Sequence, residues 1–274
     1  MVAMADVQVP EQQVSTQIRY INTEWRDRTD APVIGTGETR RANTSYFDVE
    51  VLDGRPREES YRLETSGFEL VGNNEPFHLE HDRSAYRQRM IDLVCDLAGA
   101  DEAVMMMDQV RTEDQSDFNF AYSRFAHCDY NLASREAMSR DLLARRNLEW
   151  SESATYVWYN TWHPFDHVVE QNALTVLDVR SIEPGDVIDY RYSGYAADKV
   201  SDRGALVAAP VYNPRHRWVY FSDMTPREVL VSKQSDARPG HTRQVPHTSF
   251  IDATRPEDVA PRRSIETRIL AILH

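Results

Sequence analysis

Short runs of alternating apolar residues, cut at close intervals by turn residues, fill the second half of the chain and constrain its fold more than any other feature. Residues 122–130, 154–162, 173–180, 186–192, 205–212, 217–221 and 228–233 have strand length and strand composition. Glu183-Pro184-Gly185, Asn213-Pro214 and Arg238-Pro239-Gly240 punctuate them. Upstream, 46–53 alternates like a strand before Gly54-Arg55-Pro56, a second strand is expected around 60–71, and 103–110 reads as a buried one. Two helical patterns interrupt the strands. Over 83–98, Tyr86, Met90, Leu93, Val94 and Leu97 recur at helical spacing, with Gly99 where a C-cap belongs; 134–147 is a helical insertion. Many short strands after an early helix predict a mainly β (α+β) fold, an antiparallel sandwich or barrel such as a jelly roll. Residues 1–45 are polar and read as an irregular N-terminal arm, leaving 46–274 as one domain.

The chain has 274 residues, 41% hydrophobic, enough for one large core. Thirteen Tyr, nine Phe and five Trp are too many for a disordered chain. The net charge of −13 speaks against nucleic acid and against anionic membranes, since both require a cationic surface. Its basic residues are almost all Arg, Lys199 and Lys233 being the lysines. Of the two cysteines, Cys95 sits in the apolar helical pattern and Cys128 between two candidate ligands, so neither a disulfide framework nor a zinc cysteine cluster is predicted. The N-terminus has no basic region followed by an apolar one, and no run of about 18 apolar residues exists. A cytoplasmic protein acting on a small molecule is the expectation, with the oligomeric state open.

His127-Cys128-Asp129 is an H-x-D triplet. On a strand, residues i and i+2 share a face, so an imidazole and a carboxylate would point together while Cys128 points away. A third ligand from a distant strand completes a facial triad and leaves three positions open for cosubstrate and O2. Such ligands suit Fe(II). The triplet alone is weak, expected by chance roughly 0.8 times in a chain of this composition. Its counterpart lies in Pro246-His247-Thr248-Ser249-Phe250, followed by Pro261-Arg262-Arg263-Ser264-Ile265-Glu266-Thr267-Arg268. A 2-oxoglutarate enzyme anchors the distal carboxylate of that cosubstrate with a cation, and Arg forms a bidentate pair with carboxylate. Arg263 with Ser264 fits this role and Arg268 competes for it. Five positions apart on one strand, the two arginines point to opposite faces, so only one can face the metal.

These residues, together with Gly67-Phe68-Glu69-Leu70, Gly99-Ala100, Val110-Arg111, Leu177-Asp178-Val179-Arg180-Ser181, Asn213-Pro214-Arg215-His216-Arg217-Trp218-Val219-Tyr220-Phe221 and Met224-Thr225-Pro226, resemble the CmcJ/NvfI/AsaB-like family of oxidoreductases over most of residues 46–270. The resemblance implies a double-stranded β-helix (jelly-roll, cupin-like) core with an N-terminal helical extension and a helical insertion. It implies Fe(II)/2-oxoglutarate-dependent dioxygenase chemistry with O2, and iron on His127, Asp129 and His247. The expected reaction is hydroxylation, desaturation or cyclisation of a natural-product intermediate, possible amino-acid origin included. The sequence departs from the family at Trp162-His163-Pro164, where Trp-Arg-Pro is common, so His163 is expected to alter the pocket. Further candidate substrate contacts are Tyr130, Asn131, Arg135, Asn160 and Trp162, with Arg180 and Arg217 as either acid-binding or bracing residues. His216 and Trp218 read as packing residues, and His78, His81, His167 and His241 as ordinary loop or surface histidines. Two other readings stand beside it: a zinc or manganese hydrolase or isomerase that uses the same three ligands on a cupin-like barrel, and a non-catalytic small-molecule binding protein with a degenerate site, against which the retention of all three ligands argues.

Overall fold

Residues 12–73, 75–78, 83–112, 124–192, 205–242 and 244–274 are described by this computed structural model. Among them, strands and helices follow in the order β1 (Gln13–Ile21), β2 (Val33–Ile34), α1 (Gly37–Asn43), β3 (Thr44–Asp53), β4 (Phe68–Gly72), α2 (Arg83–Ala98), β5 (Glu102–Thr112), α3 (Arg135–Arg145), β6 (Thr155–Pro164), β7 (Leu174–Leu177), β8 (Val187–Tyr192), β9 (Ala205–Pro210), β10 (Trp218–Tyr220), β11 (Glu228–Ser235), β12 (His247–Ser249) and β13 (Arg263–Leu273). One five-stranded sheet runs β1-β3-β10-β7-β12, a second runs β4-β11-β6-β13-β5, and β2-β8-β9 form a small third sheet.

The two-residue repeat of a strand gives each sheet two faces. In the second sheet, Val157 and Tyr159 of β6, Val229 and Val231 of β11, and Ile265, Ile269 and Ala271 of β13 meet Tyr86, Met90 and Val94 of α2. Those three helix residues recur every four positions, so they form one stripe. α2 stops at Gly99, whose φ of 60° is the left-handed conformation a C-terminal cap needs. On the opposite face, Trp162 of β6, Leu230 of β11 and Phe68 of β4 pack against Val176 of β7 and Val219 of β10. The second sheet thus lies between α2 and the first sheet, and its inner face carries the site.

The irregular arm expected over 1–45 is corrected in its described part. β1 pairs with β3 from Gln13 to Ile21 without interruption, and Ile18 and Tyr20 are buried. Its apolar residues Val14, Ile18 and Tyr20 share one face and join Val51, Trp218 and Phe250 in a core of their own; polar neighbours on the other face masked them. Thr36 caps α1 by accepting a bond from the Thr39 backbone N–H. The strand expected over 60–71 is confined to Phe68–Gly72. Residues 122–130 also differ from expectation. The described part makes isolated bridges, with Phe125 beside Arg19, His127 opposite His247 and Cys128 opposite Ala208.

A candidate metal centre

His127 and His247 are backbone partners. The His127 N–H donates to the His247 carbonyl at 3.1 Å, and the His247 N–H returns a bond to the His127 carbonyl at 2.9 Å. Residues paired in this way point their side chains to the same face, and the ring centroids lie 4.6 Å apart. Two positions beyond His127, Asp129 joins that face. Its Oδ1 lies 3.7 Å from His127 Nε2 and its Oδ2 3.6 Å from His247 Nε2. The donor atoms of all three residues fall within 4.8 Å of one another.

The protonation states suit cation binding. His127 Nδ1 lies 2.7 Å from the Phe125 carbonyl, and His247 Nδ1 lies 3.4 Å from that of Val245. A carbonyl only accepts, so the Nδ1 of each ring is the donor there, and each Nε2 is the nitrogen turned to the centre shared with Asp129. Burial pushes the His127 pKa down to about 4, and His247 opposite adds to this, so the ring is neutral at neutral pH. Burial alone would raise the Asp129 pKa. Arg268, the two imidazoles and Asn160 outweigh it and hold the carboxyl well below the usual range. Arg268 Nη2 donates to Asp129 Oδ1 at 2.6 Å, and Asn160 Nδ2 donates to Oδ2. Cys128 bridges to Ala208 on the neighbouring strand, and burial pushes its thiol pKa up. Two imidazoles and a carboxylate without thiolate are a donor set for a divalent transition metal such as Fe(II).

The inner face of β13 carries Ser264, Glu266 and Arg268. Glu266 links Arg268 Nε, at 3.0 Å, to Arg111 Nε of β5, at 3.6 Å. Ser264 lies opposite Arg111 and is fully buried. Arg263 has the opposite phase. It points to the outer face, pairs with Asp166 at 2.9 Å and covers the Phe165 ring. This corrects the preference for Arg263: Arg268 reaches the triad.

His163 is corrected in the same way. Asn160 and Trp162 face inward, so the next residue faces α2, where His163 stacks on Tyr86 with ring centroids 5.7 Å apart. Its Nε2 lies 2.8 Å from the Pro226 carbonyl, and burial lowers its pKa to about 4. It is a core histidine away from the triad.

The remaining candidates divide. Tyr130 lies beside the site, its ring 4.8 Å from that of Trp158 and 5.9 Å from the Arg268 guanidinium carbon. Trp162 is buried in the inter-sheet core. Asn131 instead caps the turn into α3, its Oδ1 accepting from Ala133 N and Ser134 N and its Nδ2 donating to Asp189. Arg135 binds the Leu132 carbonyl. Arg180 and Arg217 both brace the buried Asp178, at 2.7 and 2.9 Å. His216 packs against Tyr20 and bonds to Asp186 at 3.1 Å, and His241 pairs with Glu64. His81 lies outside the described residues. Sequence reasoning missed Gln234, whose Oε1 accepts from the Asp129 N–H at 3.5 Å, and Glu266. Glu266 stands two positions before Arg268, a same-face spacing that was open to inspection.

Residues 18–272 match the family described as the oxidoreductase/YMDC permease-like domain. The chain belongs to this oxidoreductase family. Among the relatives of this oxidoreductase, the hydroxylase/desaturase efuI of Hormonema carpetanum is 29% identical over 266 residues, covering 86% of this chain and 87% of the relative. The Fe(II)/2-oxoglutarate-dependent dioxygenase nvfI of Aspergillus novofumigatus is 25% identical over 238 residues, covering 83% and 84%. A solved structure of the iron and alpha-ketoglutarate-dependent endoperoxidase NvfI superposes with a TM-score of 0.80, covering 97% of this oxidoreductase and 99% of that chain at 22% identity. The oxidoreductase therefore shares that fold, and the hydroxylase/desaturase resemblance seen in its motifs holds. It is an enzyme.

Proposed function

We propose that the protein is an Fe(II)/2-oxoglutarate-dependent dioxygenase that oxidises a C–H bond of a small natural-product intermediate. One observation carries the reading: two imidazoles and a carboxylate converge from separate segments, with a buried arginine beside them. His127, Asp129 and His247 would hold the iron. The bound iron, with 2-oxoglutarate, supplies the oxidising power for C–H cleavage by O2. The curled sheets and the relatives support a double-stranded β-helix core with helical additions.

The chain's own residues then divide the work. Arg268 is the anchor for the cosubstrate's distal carboxylate. Burial opposes its charge, yet Asp129, Glu266 and Tyr130 raise its pKa, so it stays cationic. Its Nε and Nη2 serve Glu266 and Asp129, and a guanidinium has five N–H donors to distribute. Tyr130, Trp158 and Leu270 form an apolar wall that keeps water from this charge cluster. Trp162 and Tyr130 are the candidate substrate contacts, and a hydroxylase/desaturase and a dioxygenase among the relatives support an oxidation of this kind. No described helix is long and apolar enough to cross a membrane. With Cys95 and Cys128 both free, a cytoplasmic location fits the reading.

The test is anaerobic. Fe(II) and 2-oxoglutarate added to the protein should give a weak visible charge-transfer band that neither gives alone. Tight zinc binding without the band would favour a hydrolase or isomerase, and no metal binding a non-catalytic binding protein; either result overturns the proposal.

A further inference from the structure

We infer that Asn160 is a positioning residue of the metal centre, acting through Asp129. The inference rests on the metal-binding reading of the triad. Asn160 sits on β6 directly opposite Arg268 on β13, the two being backbone partners. Neighbouring strands thereby send two donors to one carboxylate. Arg268 holds Oδ1 at 2.6 Å, the oxygen that faces His127, and Asn160 holds Oδ2, the oxygen that faces His247. With both oxygens tethered, the carboxylate cannot rotate about its last torsion, so both ligand edges of the site are set before a metal arrives.

The amide's orientation follows from chemistry. An ionised carboxylate only accepts, so the Asn160 NH2 must face Asp129 and Oδ1 must face away. Asn160 is 4% exposed, and its Oδ1 has no hydrogen-bond partner among the described residues. A buried amide oxygen without a donor is costly. The amide is kept in spite of that cost, as a demand for its NH2 at the carboxylate requires. A substrate-contact role would leave the empty centre unaffected, whereas a positioning role weakens metal binding with no substrate present.

The experiment titrates metal-free protein with Co(II), read by its d–d absorption and by competition with a chelating dye, without 2-oxoglutarate or turnover. Asn160→Leu keeps the branched shape and removes the amide; Asn160→Ala is the smaller second variant. Both should bind Co(II) about 10- to 100-fold more weakly, with an altered band envelope. The control is Thr161→Val, on the same strand with its side chain turned to the other face, where it bonds to Thr267 at 2.6 Å. It should lower the melting temperature and leave the Co(II) affinity and spectrum unchanged. Wild-type affinity in either folded Asn160 variant overturns the positioning role. Failure of the wild type to bind Co(II) overturns the metal reading itself, a separate outcome.

Discussion

His127 shows how burial prepares a ligand before any metal is present. Its ring is held neutral, so no proton has to leave when a cation binds near neutral pH. His127→Ala or His247→Ala should therefore abolish metal binding while the fold persists, measured by Co(II) titration beside circular dichroism. Burial has a cost in acid. His127 and His163 both drop from 6.5 to about 4 on folding, so the unfolded chain takes up protons the folded one refuses. Their stabilising contribution is complete above 6.5 and is lost as the pH falls from there towards about 4. Melting temperature should decline across that window, and His163→Gln, which keeps a donor for the Pro226 carbonyl, should flatten the slope by about one proton. The arginines give a paired prediction. Arg268→Ala should raise the 2-oxoglutarate concentration needed for turnover by at least about tenfold, while Arg263→Ala, on the outer face, should leave it within about twofold. The His127 and Asp129 pair was legible because i, i+2 geometry is local, and His247 joined it through the family resemblance. The choice between Arg263 and Arg268 was not, because the phase of β13 is set by its pairing with β6 and β5, and nothing in the segment itself records it. The same missing phase made Trp162 and His163 look like neighbours in one pocket.

At the scale of elements, β11 does two things at once. Its inward residue Gln234 bonds to Val245 and Asp129, tying the strand to both ligand-bearing segments. The adjacent Lys233 turns outward, is fully buried, and reaches Glu64 at 2.8 Å and Asp236 at 3.1 Å. Removing one member of a buried ion network strands the others, so Lys233→Met should cost about 3 kcal/mol, measured by urea unfolding. Sequence periodicity found β11 and α2 because each offers a regular apolar stripe. It missed β1, whose Val14, Ile18 and Tyr20 are spaced among polar residues and gain a burying partner only through β3 and the packed first sheet. It overestimated the strand around His127, where pairing is reduced to single bridges.

For the whole molecule, the mainly β class and the early helix were readable from strand length, turn residues and one helical stripe. The strand order was not, since β1-β3-β10-β7-β12 joins segments from both ends of the chain and short strands of similar composition carry no address. The arrangement places the two histidines on separate segments, joined at that point by a pair of backbone bonds. A cation gripping both rings would act as a cross-link closing a very long loop, in the manner of a staple. Loading should then slow amide exchange at 127 and 247 far more than in α2, making the metal a late-locking part of the architecture as well as a reagent.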